Sequence, residues 1–110
     1  MPRSSTDLLP GTLDLLILRV LAGGRYHGYG IAQRLQQLSD DVLQVGESSL
    51  YPALQRLLLN GDVEAEWAPS ENNRRARYYT LTRAGKRRLA HERAVFDTKI
   101  AAIQKVLATA

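Results

Sequence analysis

At 110 residues the chain suits one compact domain with room for an appended element, and 45 % hydrophobic residues exclude a disordered polymer. It has no cysteine, which excludes disulfides and thiolate catalysis and fits a reducing cytoplasm. The formal net charge of +4 favours a polyanionic partner over a basic one.

Residues 1–7, MPRSSTD, are polar and read as a frayed end without the features of a signal peptide. The next stretch, LLPGTLDLLILRVLAG, is interrupted by Pro10, Asp14 and Arg19 and is too short to span a membrane. It predicts a buried helix from about Thr12 to Ala22, capped by Thr12, with Leu13, Leu16, Ile17, Val20 and Leu21 on its apolar face. Gly23 and Gly24 end it, and RYHGYG is expected to be a connector in which His27 satisfies local backbone groups. A second helix follows from about Tyr29 to Leu38, burying Ile31, Leu35 and Leu38. SDDVLQVGE reads as a loop with room for a very short strand at 43–45.

The segment GESSLYPALQRLLLNGDV carries the most information. Leu50, Leu54, Leu57 and Leu58 recur at helical spacing, and Gly61 closes the helix. Pro52 conflicts with a helix interior, where it would cost about 3 kcal/mol. The conflict is resolved if the helix starts just before it, with Ser48 or Ser49 as the N-cap and an end near Asn60.

The period then changes to two. VEAEW alternates Val63, Ala65 and Trp67 against Glu64 and Glu66, and RYYTL alternates Arg77, Tyr79 and Leu81 against Tyr78 and Thr80. APSENNRRA between them predicts a hairpin with a long tip. From Thr82, an N-cap, a last helix runs to about the C-terminus, roughly 40 Å at 1.5 Å per residue.

Helix, helix, helix, hairpin and long helix is the order of a winged helix-turn-helix, mainly α with a small β-hairpin, followed by a long C-terminal helix. The winged domain spans residues 8–81 and the last helix 82–110. In such a domain the third helix offers its N-terminal end to the major groove. Ser48, Ser49 and Tyr51 can reach phosphates or base edges there, while Gln55 and Arg56 suit base reading. The alternative is that Ser48 only caps the helix and Tyr51 packs on the second helix. Asn73, Arg74 and Arg75 stand on the hairpin tip, where long cations reach a minor groove or a phosphate strand. Arg77 could instead pair with Glu64 or Glu66 across the hairpin.

Charge distribution agrees with this placement. From Arg74 to Arg93, eight basic side chains face one acid, Glu92; from Gln36 to Trp67, Arg56 is the one basic side chain among six acids. A solvated helix face would give a similar run. On the last helix Phe96, Ile100, Ile103 and Leu107 follow alternating four and three spacing, a seam for a second copy. Folding back on the first helix is the other use for that stripe. His27 and His91 have no metal spacing, no phosphate loop follows a strand, and neither an enzyme nor a cofactor is expected.

HGYGIAQRL, SSLYPALQRLLLNGDV and RRARYYTLTRAGKRRL together make the chain resemble the PadR family of bacterial transcriptional repressors, over about residues 8–109. The resemblance implies a dimeric winged-helix protein bound to double-stranded DNA at an operator and joined by its C-terminal helix, here of the short type. Ser49, Leu50, Tyr51 and Pro52 match the family's recognition-helix start, and Arg74 and Arg75 its basic wing. Gly30 and Leu59 depart from it, standing where an acidic residue and a glutamate are common. Family members often release DNA when a small aromatic or cationic compound enters between the dimer helices. The last helix here offers Phe96 for such an effector but no tryptophan, because Trp67 lies in the wing. A winged-helix protein-interaction module that dimerises without DNA is the rival reading.

Overall fold

The computed structural model describes residues 11–109; the polar stretch 1–7 lies outside these residues. In chain order the elements are α1 (Thr12–Ala22), β1 (Tyr26–His27), α2 (Gly28–Leu38), α3 (Glu47–Leu59), β2 (Val63–Pro69), β3 (Arg75–Leu81) and α4 (Arg83–Leu107). The strands form one antiparallel sheet in the order β1-β3-β2. This is a winged helix-turn-helix with a long C-terminal helix.

The core lies where α1, α2 and α3 meet the base of the sheet. Ile17, Leu18, Val20 and Leu21 of α1 pack with Ile31 and Leu35, with Leu50, Ala53, Leu54 and Leu57, and with Val63 and Tyr79. α1 is the central element, touching α2, α3, β3 and α4, and so it buries Leu15 and Leu18 beyond the expected stripe. Deleting a side chain as enclosed as Leu54 would cost about 2–5 kcal/mol. Leu38, expected inside, is 58 % exposed because it stands at the last position of α2, past the cover of α1.

Several local expectations are corrected. Gly11, in the left-handed region, caps α1, and Thr12 is its first helical residue. No strand forms at 43–45. A two-residue strand forms instead within the predicted connector, as Tyr26 and His27 pair with Tyr79 and Tyr78. His27 then caps α2: its Nδ1 accepts the Gly30 N–H at 2.9 Å, so the neutral ring carries its proton on Nε2.

α3 starts earlier than the proline suggested. Gly46 is its N-cap and Glu47 its first residue, so neither Ser48 nor Ser49 caps it. Pro52 therefore sits inside the helix, and the Ser48 carbonyl lacks the N–H that residue 52 would normally supply. Its far end is closed by Gly61 at φ +76°: Asp62 N–H reaches Leu57 O at 2.9 Å and Gly61 N–H reaches Leu58 O at 3.0 Å.

That closing turn is clasped to the start of α4. Thr82 donates from its backbone N–H to Asp62 O at 3.1 Å and from its hydroxyl to Gly61 O at 2.7 Å. The same hydroxyl accepts the Gly85 N–H at 3.0 Å and caps α4 as expected. Gly85 is buried so closely on Asp62 that an added Cβ would stand 2.0 Å from the Asp62 carbonyl oxygen. The buried Asp62 carboxylate faces Arg88 at 3.6 Å. The end of α3 and the beginning of α4 are thus one rigid joint.

Candidate nucleic-acid interface

The exposed side of α3 is set by what its other side buries. With Leu50, Ala53, Leu54 and Leu57 inside, Ser48, Tyr51, Pro52, Gln55 and Leu59 form a solvent-facing stripe at three and four spacing. Ser49 and Arg56, seven residues apart, lie on a flank of that stripe. Arg56 is held there by Asp14 of α1, with Nη2 2.8 Å from Oδ1, and the carboxylate raises its pKa. Arg56 thus stands exposed on the flank of the stripe with its guanidinium paired to Asp14 of α1.

Tyr51 is half exposed and rests on the first residue of α2. A Cβ on Gly28 would lie 2.9 Å from the Tyr51 hydroxyl oxygen and 3.0 Å from Cε1. The missing side chain at Gly28 is what lets the ring lie down at the start of the helix pair. Both uses foreseen for Tyr51 are compatible with this, because packing on α2 leaves 46 % of the residue exposed.

The wing is shorter at its tip than the sequence suggested. β2 extends to Pro69 and β3 begins at Arg75, leaving Ser70 to Arg74 as the turn. Ser70 N–H reaches Arg74 O at 2.7 Å and Asn73 N–H reaches Ser70 O at 3.0 Å. Asn73 adopts φ +60°, the left-handed position closing a three-residue hairpin loop, which asparagine tolerates. Arg74 is on the tip, while Arg75 is the first residue of β3 rather than a loop residue; both are exposed.

Arg77 does not pair with Glu64 or Glu66. Strand alternation puts it on the face of its cross-strand neighbour Trp67, whereas Glu66 stands opposite Tyr78. Glu66 is taken by Arg25 at 3.3 Å, and Arg25 also lies 4.3 Å above the Tyr78 ring. Trp67, on the strand face of the buried Val63, is itself 59 % exposed, because β2 runs beyond the helical core at that point.

Between the wing and the starts of α2 and α3 runs an open groove of about 680 Å³. Arg74, Arg75, Arg77 and Trp67 line it on the wing side, and Tyr29, Gln33 and Tyr51 on the helical side. Burial of Tyr79 beneath raises its phenol pKa, with the neighbouring Arg77 charge opposing. None of the ion pairs between described residues uses Arg74, Arg75 or Arg77. Tyr29 and Gln33 were not singled out from sequence, and Arg77 was considered there only as a partner for Glu64 or Glu66. Tyr29 and Gln33 are four apart, opposite Ile31 and Leu35, and that spacing was their available signal.

On α4, Phe96 and Ile100 are half buried, while Ile103 and Leu107 are 44 % and 77 % exposed. The near part of this stripe does face α1 of the same chain. Phe96, Ile100 and Ile103 share a groove of about 360 Å³ with Gly11, Thr12 and Leu15. Beyond it, Val106 and Leu107 extend past α1. Among the described residues no helix is long and apolar enough to cross a membrane, and no group of three or more His, Cys, Asp or Glu could hold a metal.

A winged helix-turn-helix with a basic wing beside an exposed helix start defines the class of DNA-binding regulators. The model of the PadR-like transcriptional regulator family matches residues 17–91, more than half of the chain, and the chain belongs to that family. A relative from Lysinibacillus sphaericus, described only as an uncharacterized protein, is 31 % identical over 81 residues, 74 % of each chain. A transcriptional regulator from Clostridium thermocellum has a similar structure, with TM-score 0.79 and 27 % identity over 86 % of this chain and 92 % of that one. A PadR family regulator from Eggerthella lenta gives TM-score 0.75 and 28 % identity, covering 91 % and 85 %. The chain is accordingly a DNA-binding transcriptional regulator and not an enzyme.

Proposed function

We propose that the chain represses transcription as a homodimer that binds a pseudo-palindromic operator. The observation that carries this reading is that Tyr51, at the start of the exposed α3 stripe, shares one groove with the three wing arginines that stand outside the described ion pairs. Ser48, Tyr51 and Gln55 enter the major groove, with Gln55 suited to adenine. Arg74 and Arg75, with Asn73 shaping the tip, follow the neighbouring phosphates or minor groove. Ser49 serves as a flanking phosphate contact.

Dimerisation supplies the second half-site. α4 is 25 residues long, about 37 Å, and its last turns carry exposed Ile103, Val106 and Leu107. A second copy packed along Phe96, Ile100, Ile103 and Leu107 would cover them and continue over the groove beside α1. The clasp between Asp62 and Gly85 would transmit the angle between paired α4 helices to the reading helices. A small molecule seated between the paired α4 helices would release the DNA by changing that angle.

The test is selection of duplexes from a random pool by the purified chain, followed by sequencing. An imperfect palindrome with half-site centres about one helical turn, 10–10.5 base pairs, apart or a multiple of it is expected. Absence of any enriched sequence would favour the protein-interaction reading.

A further inference from the structure

One nitrogen of the His27 ring is committed and the other is free. Nδ1 accepts the Gly30 N–H at 2.9 Å, as the N-cap of α2. A neutral imidazole that accepts at Nδ1 carries its proton on Nε2, so the second nitrogen is a donor. Among the described residues nothing accepts from it. The ring cannot turn toward a partner without giving up the cap. Packing holds it as well: it lies 5.4 Å from the Tyr78 ring at 59° and 6.4 Å from the Tyr29 ring at 23°. Tyr78 is fixed in turn, its hydroxyl donating to Pro69 O at 3.3 Å and Arg25 lying 4.3 Å above its face. The free donor of this half-buried ring therefore has a set place.

That place is the helical wall of the groove, across from the wing arginines. Glu71, the one carboxylate in the lining, makes no hydrogen bond with the ring. α2 is the first helix of the helix-turn-helix pair, the one that crosses the DNA backbone. Its start therefore meets phosphate oxygens, which accept hydrogen bonds, rather than base edges. We infer that neutral His27 donates its Nε2–H to a backbone phosphate, so that one imidazole both caps α2 and positions it on the duplex. The inference rests on the DNA reading of this face. Its chemistry differs from that of the wing opposite. Arg74 and Arg75 neutralise phosphates and release counterions, whereas a neutral donor binds without releasing any. The wing contacts weaken as salt rises, and the His27 contact holds.

Two substitutions separate the two nitrogens. Asparagine puts a polar atom near the place of Nδ1, and glutamine puts one near the place of Nε2. His27→Asn keeps a good N-cap and loses the distal donor. His27→Gln carries an amide N–H out to the distal place and lacks the short acceptor that a cap requires. Full-length variants are compared by thermal unfolding and by anisotropy of labelled duplexes, one selected and one random, across a salt series. His27→Asn should unfold near the wild-type temperature. It should bind both duplexes roughly thirtyfold more weakly, for one hydrogen bond in each of two subunits, with the slope of log K against log salt unchanged. His27→Gln should unfold a few degrees lower and yet bind more tightly than His27→Asn. A purely capping role predicts the reverse order, with affinity following stability, and that order overturns the inference. A slope flattened by about 1 per contact in His27→Asn would put a cation on the phosphate and overturn the neutral donor. If the wild-type chain binds no duplex, the DNA reading fails and this contact with it. If the wild-type chain binds and His27→Asn binds equally well, this contact alone fails.

Discussion

Gly28→Ala moves Tyr51 without removing it. The new Cβ would meet the Tyr51 hydroxyl oxygen, Cε1 and Cζ at 2.9, 3.0 and 3.1 Å. Carbon contacts are comfortable from about 3.5 Å, so the ring must shift by roughly half an ångström. Gly28 has no positive φ, and alanine is favoured over glycine in a helix by up to about 1 kcal/mol. Steric cost and helical gain oppose one another, and the net stability change should stay within about 1 kcal/mol, a few degrees in Tm. DNA affinity has no such offset. One hydrogen bond from the Tyr51 hydroxyl contributes about 1 kcal/mol net, hence about 2 kcal/mol for two symmetric half-sites, or roughly thirtyfold in Kd. Anisotropy with a labelled preferred duplex at fixed salt measures the loss, and thermal unfolding checks the fold. In a Tyr51→Ala background the same glycine substitution should change affinity no further. Unchanged affinity in Gly28→Ala, or an equal loss without Tyr51, would refute the reasoning.

Changing both Arg74 and Arg75 to Ala should weaken binding to all sequences and flatten the slope of log K against log salt by about 1 for each phosphate that is no longer neutralised. A salt titration with an unchanged slope would remove the wing from the interface. Gly85→Ala forces a Cβ onto the Asp62 carbonyl and should destabilise the fold by roughly 3 kcal/mol or more, read as a drop in Tm. Glu at both Ile100 and Ile103 should give monomers in analytical ultracentrifugation; intact dimers would exclude the α4 seam.

The fold was legible because each element carries a period that its surroundings respect. Leu50, Leu54 and Leu57 mark the buried side of α3, and Val63 and Tyr79 the buried side of the sheet. Ends were less legible where backbone groups compete. Pro52 argued for a late helix start, but Gly46 and Glu47 extend the helix backward despite the missing hydrogen bond. β1 is two residues long and exists through pairing with β3, so no local pattern announces it. For the candidate site, the position in the motif points to the serines, Tyr51, Gln55 and the wing arginines, and the structure leaves all of them exposed. The pairing of Arg56 with Asp14 could not be read there, since the two are 42 residues apart and only the packing of α1 on α3 joins them. The groove was invisible for the same reason, as Tyr29, Tyr51 and Trp67 converge from three elements.

The central claim is that α3 reads DNA sequence through its exposed stripe. Affinities of Tyr51→Ala and Gln55→Ala for the selected duplex and for a random duplex, at one salt concentration, test it most directly. Neither side chain belongs to the buried face, so both variants should fold. Each should lose about 1–3 kcal/mol on the selected duplex, at particular base positions, and little on the random one. Wild-type affinity of both variants for both duplexes would contradict the account.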